Sequence, residues 1–242
     1  MQEFIDRLIT ATPRTWVTSS LITLNVAVFI VALWYGAGWF EPDAGTLLAL
    51  GGNYLPRTHE QPWRLLSAIF LHAGILHLGF NMWVLRDVGR LAERFYGSGQ
   101  FLVIYVSAGG LASLSSLFFA AADRVSVGAS GAIFGVVGAI LAAVSSTGGT
   151  MPAALVAQVR RSMLFFIAYA LVSGFAFSVI DSAAHIGGLI SGFLLALVLA
   201  KRFDWDRYRL QARRRGALAV ATSLLLAVLT WQWLPAAGAT MH

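Results

Sequence analysis

The sequence predicts an all-α fold: a polytopic membrane helical bundle of six core spans plus one C-terminal transmembrane helix. Three observations predict it. The 242 residues are 58% hydrophobic and 12% charged, with mean hydropathy +0.73, against roughly 45–50% apolar and 25% charged in average soluble domains. Too few polar side chains remain to cover a water-exposed surface. Seven long stretches, 15–40, 65–85, 95–122, 125–159, 162–180, 182–200 and 216–242, contain no Asp, Glu, Lys or Arg, and about 20 apolar residues span a bilayer as a helix. Finally, the basic residues gather in alternate loops.

Taken in order, residues 1–14 form a cytoplasmic N-terminal segment. The first span follows, and Met1–Ser20 reads as no cleavable signal because it carries both charge signs and runs into a full-length apolar stretch. The segment AGTLLALGGNYLP (44–56) is too short to cross and holds Gly51, Gly52 and Pro56, so it is expected to be interfacial or re-entrant. The window 125–159 holds one helix ending near 146, because Thr147, Gly148, Gly149, Thr150 and Pro152 supply breakers. The core is expected over 15–202, a basic cytoplasmic linker over 203–216, and a seventh transmembrane helix over 217–235.

The N-terminus and the second, fourth and sixth loops carry 14 of the 17 basic residues, against Arg57, Arg64 and Arg124 on the other side. Basic loops favour the cytoplasm, which places the N-terminus inside. Charge scattered in this way also argues against nucleic acid as a partner. Cysteine is absent, which excludes disulfides, thiolate metal sites and cysteine nucleophiles.

Ionisable groups within spans are functional candidates, since each is costly unless paired or hydrated. They are His72 and His77 in the second span, with Asn81 one turn beyond, and His185 near the start of the sixth, with Asp181 at its boundary. On a continuous helix His77 and Asn81 share a face, whereas His72 lies about 140° away. Glycines 128, 131, 135 and 138 make a small face on the fourth span. Ala184, Gly188 and Gly192 make another on the sixth, so these two helices are expected to pack backbone to backbone. That packing brings Ser130 and His185 to similar depth.

A serine hydroxyl needs a base to accept its proton, and imidazole, with a pKa near about 6.5, is the usual one. Ser130 and His185 can form such a dyad. An oxyanion could be met by the His77 ring, the Asn81 amide and the Ser130 backbone N–H. Gly128-Ala129-Ser130-Gly131 is not the elbow of an α/β-hydrolase, which needs a strand-to-helix turn. A metal or haem site on His72, His77 and His185 is disfavoured, because ligands five residues apart diverge on a helix.

Trp63-Arg64-Leu65-Leu66, FLHAGILHLGFNM (70–82), LAERFYGSGQF (91–101), GASG (128–131) and AHIGG (184–188) together resemble the rhomboid intramembrane serine proteases, in a six-plus-one form. The resemblance covers about 15–202. It implies Ser130 as nucleophile and His185 as general base without a third acid, His77 and Asn81 serving the oxyanion, and His72 as a supporting polar residue near retained water. Gly128, Gly131 and Gly188 belong to the matched motifs. Phe134 stands where many relatives have a Tyr stacked on the catalytic His, and stacking is expected to survive without the hydroxyl. Asp181 reads as a helix cap rather than a third catalytic group. The resemblance further implies transmembrane protein substrates cut near the outer surface of a bacterial inner membrane, with no cofactor and no metal. The alternative reading is an inactive rhomboid-like protein that binds and escorts membrane proteins.

Overall fold

A computed structural model describes residues 1–40, 43–119, 124–146, 149–176, 180–199, 201, 205–232 and 234. Among these residues the fold is helical, with one isolated antiparallel bridge between Asn53 and Ser126. The chain is an integral membrane protein of the predicted all-α class. Its helices are α1 (Gln2–Ala11), α2 (Trp16–Trp34), α3 (Ala44–Ala49), α4 (Leu55–Glu60), α5 (Arg64–Ser67), α6 (Ile75–Val84), α7 (Arg90–Phe119), α8 (Ser130–Ser145), α9 (Ala153–Ala176), α10 (Ser182–Val198) and α11 (Trp205–Trp231). The breakers Thr147 and Gly148, the core boundary at Arg202 and the end of the expected seventh helix at 235 fall outside the described residues.

A 3-10 turn, Ala68–Phe70, follows α5, and a π turn, Leu85–Gly89, joins α6 to α7. Helix therefore runs from Ile75 to Phe119, 45 residues or roughly 68 Å at 1.5 Å per residue, twice the thickness of a bilayer core. The chain reverses inside it at Gly97, whose φ of 73° breaks the helix. Gly89 abuts Thr18, Tyr96 bonds Ala139, and Ala112 faces Gly131, so the two helical arms meet at Gly97 and the second returns beside α8.

Three boundaries differ from expectation. The second apolar stretch is not one helix: residues 71–74 are irregular, Gly74 takes φ 92°, and the helix begins at Ile75. Hydropathy cannot register this break because the surrounding residues are uniformly apolar. α9 begins at Ala153, nine residues before the expected 162, and includes Arg160 and Arg161, both exposed. A charge-free window ends at such arginines although a helix continues while their heads reach water. Likewise the basic stretch from Trp205 is helical and continuous with the seventh apolar segment.

The first loop folds into α3 and α4 without spanning. Asp43 caps α3 by accepting from the Thr46 N–H, and hydrogen bonding from the Thr46 side chain and then from that N–H holds its carboxyl below the usual range. Arg64 fastens this loop, donating to the carbonyls of Leu48 (2.6 Å) and Gly52 (3.1 Å) and to Gln61 (2.9 Å). At the other end of the bundle, buried Glu93 accepts from the N–H groups of Val17 and Thr18 and from the Thr18 and Ser98 hydroxyls. It thereby satisfies donors that begin α2.

The core is centred on α8, where thirteen of sixteen residues are buried, so this helix is surrounded on all sides. α8 and α10 have 16 and 17 residues, roughly 24–26 Å, less than the ~30 Å of a hydrocarbon core.

Candidate active site

α8 and α10 meet through glycine. A Cβ added at Gly192 would lie 2.5 Å from both the Cα and the carbonyl carbon of Gly135, and one at Gly188 would lie 3.0 Å from the carbonyl carbon of Gly131. Gly138 is pressed equally hard against Leu189 and Phe193. Only hydrogen fits along this seam. The expected small faces thus pack as read, with one correction: Gly128 is not on the helical face. It precedes α8 at φ 131°, and a Cβ there would stand 2.7 Å from His77 Cε1. Its missing side chain makes room for the imidazole and its backbone turns the chain into α8.

At one end of the seam, Ser130 is the first residue of α8 and His185 the fourth of α10. Ser130 Oγ and His185 Nε2 are 2.9 Å apart. Phe134, one turn beyond Ser130, stacks on the His185 ring with centroids 4.3 Å apart and planes 9° from parallel, and packs in turn on Phe166. The absent hydroxyl leaves this stacking intact.

His185 Nδ1 is buried without a hydrogen-bond partner. Asp181 does not reach it. Its carboxylate accepts from the Ala184 N–H (2.9 Å), the Ser116 hydroxyl (2.5 Å) and the Ser126 hydroxyl (2.6 Å). It caps α10 and ties that helix to α7 and the strand-like segment before α8. Sequence reasoning missed Ser116 and Ser126, because hydroxyls are common in membrane helices and carry no positional signal.

His77 and Asn81 lie on α6, across from Ser130. His77 Nδ1 accepts from the Ala73 N–H at 3.3 Å, which assigns the ring proton to Nε2, the atom facing Gly128. Asn81 donates one amide hydrogen to the His77 carbonyl at 2.8 Å and retains a second donor. His72 departs from expectation. Because it precedes α6 instead of lying on it, its ring meets that of His77, with centroids 5.2 Å apart. Its Nε2 faces the Ala129 N–H at 3.5 Å, and its Nδ1 is buried without a partner.

Ser130, His185, His77 and Asn81 border a cleft of about 370 Å³, and His72 lies outside its lining. One wall is Phe80 and Val84 of α6, the other Phe166, Tyr169 and Ala170 of α9. The floor is polar and the walls are apolar.

A family model described as Rhomboid domain matches residues 59–202, and every candidate residue from His72 to Gly188 falls within it. The chain belongs to the rhomboid family. Rhomboid protease GluP of Bacillus subtilis is 45% identical over 184 residues, covering 75% of this chain and 34% of that protein. RHOMBOID-like protein 6, mitochondrial, of Arabidopsis thaliana is 31% identical over 227 residues, 80% of this chain and 72% of that one. Rhomboid-like protease 2 of Toxoplasma gondii is 33% identical over 215 residues, 83% of this chain and 72% of its own length. This rhomboid thus spans about a third of the Bacillus relative and most of the other two.

Proposed function

We propose that this rhomboid is a serine endopeptidase that hydrolyses peptide bonds in or near the transmembrane segments of other membrane proteins. The observation that carries the reading is the 2.9 Å approach of Ser130 Oγ to His185 Nε2 at the floor of a cleft with apolar walls. The relatives named as proteases support it.

As Ser130 Oγ attacks the scissile carbonyl, its proton passes to His185 Nε2, whose own proton sits on Nδ1. The carbonyl oxygen becomes an oxyanion that receives hydrogen bonds from His77 Nε2–H, the free Asn81 amide hydrogen and the Ser130 backbone N–H. His185 then protonates the leaving amine. Water, activated by the same imidazole, releases the acyl group and restores the hydroxyl. His72 supports the chain before α8 and the polar floor where that water would reside. Phe134 holds the imidazole plane, Gly128 makes room for His77, and Gly131 and Gly188 set the distance between nucleophile and base. Capped as it is, Asp181 positions α10 and takes no proton.

The same reading orients the molecule with the N-terminus in the cytoplasm and the cleft opening outward, in a bacterial inner membrane. Residues 15–202 are the catalytic core, 203–216 the linker and 217–235 the added helix. The test is cleavage of a fluorogenic transmembrane peptide by purified protein in detergent, beside a serine-reactive fluorophosphonate. Ser130→Ala is expected to abolish both cleavage and labelling while remaining folded. Labelling that persists in Ser130→Ala would refute the assignment.

A further inference from the structure

We propose that the end of the bundle opposite Ser130 carries a binding site for the phosphate group of an anionic lipid, formed by Arg14, Arg90 and Arg94. The inference is independent of the protease reading. These arginines line a cavity of about 360 Å³ together with Trp16 and Ser19. They come from two places far apart in sequence, the entry to α2 and the first turns of α7, and the fold brings them together.

None of the three has a hydrogen-bond or ion-pair partner among the described residues, and Arg94 Nε is buried with its donor unmet. The nearby Glu93 carboxylate does not compensate them, because it is turned inward and filled by four donors from Val17, Thr18 and Ser98. Asp87, exposed one turn before Arg90, does not line the cavity. Three unpaired guanidinium groups around one cavity suit a tetrahedral oxyanion, to which arginine presents paired N–H donors.

The surroundings select a lipid as the source of that phosphate. The cavity lies where the chain passes from α1 into α2. Trp16 at its rim is 63% exposed, and tryptophan at a span end belongs at headgroup level. The Arg14 guanidinium lies over the Trp16 ring at 5.5 Å from its centroid, so the cation is held at the same level. A phosphate there would have its acyl chains beside the apolar flank of α2.

The test is native mass spectrometry of the full chain in detergent, titrated with phosphatidylglycerol and, separately, phosphatidylcholine. The wild type is expected to prefer the anionic lipid. Arg14→Gln with Arg90→Gln removes two exposed cations, and phosphatidylglycerol binding should weaken about twenty-fivefold, at about fivefold per charge. Arg90→Gln alone should give about fivefold, which serves if the double variant folds poorly. Arg213→Gln with Arg214→Gln removes as much charge elsewhere and should weaken binding less than about threefold. Equal losses in the two double variants, or equal affinity for both lipids, would overturn the proposal. Displacement of the lipid by millimolar inorganic phosphate would assign the site to a free anion and overturn the lipid source.

Discussion

Gly188→Ala tests whether the glycine seam sets the catalytic distance. A methyl group at 188 would stand 3.0 Å from the carbonyl carbon of Gly131, and nearer still to its oxygen, with Ala112 Cβ at 3.4 Å behind it. The oxygen is the limiting atom, and because close carbon–oxygen contacts lie at roughly 3.3–3.6 Å, the two backbones must part by about 1 Å or slightly more. The obstruction is main chain, and no rotamer can relieve it. Gly131 follows Ser130 directly and Gly188 is three residues from His185, so nearly all of that separation reaches the 2.9 Å Ser130–His185 contact. The contact opens to about 3.5–4 Å, where a hydrogen bond is lost. Misplacement of a catalytic group by ~1 Å costs on the order of a hundredfold. The expected outcome is therefore a fall in kcat of about 10² in the peptide assay, with slower fluorophosphonate labelling and a protein still helical by circular dichroism. Gly79→Ala is the matched control, because Gly79 is exposed on α6 with nothing near its Cβ position, and its turnover should stay unchanged. A folded Gly188→Ala with kcat within about threefold of wild type would show that the seam does not govern the distance.

Asp181→Asn keeps an acceptor for the Ala184 N–H and should lower the melting temperature while retaining at least about a tenth of kcat; a loss near that of His185→Ala would mean that Asp181 is catalytic after all. His77→Ala and Asn81→Ala should each lower kcat by about 10²–10³ with little change in KM, and wild-type turnover in either would remove that residue from the oxyanion site. Phe134→Tyr should retain full turnover, whereas Phe134→Ala releases the His185 ring and should lower kcat about tenfold; kinetics of the two variants side by side decide this, and equal rates would mean that stacking does not orient the base.

Much of the candidate site was legible because the membrane makes polar residues and glycines conspicuous. Ser130, His77, Asn81 and His185 stand out against apolar neighbours, and the spacing of Gly131, Gly135, Gly188 and Gly192 marks close helix packing. What escaped was anything that depends on leaving the helix. His72 was placed on a helical face because hydropathy does not distinguish coil from helix among apolar residues. Gly74, at φ 92°, was the punctuation that marked the change. Gly128 belonged to the small-residue series by spacing alone, yet its work is done outside α8. Glu93 carries no sequence signal of burial, since a carboxylate beside a charge-free stretch marks a span boundary whichever way its side chain turns. Its burial follows from a tertiary contact, the exposed N–H groups that open α2.

Where backbone meets backbone, there is no layer of side chains to repack. α8 and α10 therefore act as one solid part, and volume changes that other helix pairs absorb through new rotamers have no outlet between them. The walls of the cleft, on α6 and α9, are ordinary side chains that can be exchanged freely. Chemistry and selectivity are consequently written in different material. On the proposed function, sequence drift can remodel the cleft walls for different substrates while the Ser130–His185 spacing stays the same, because glycines hold the two helices together.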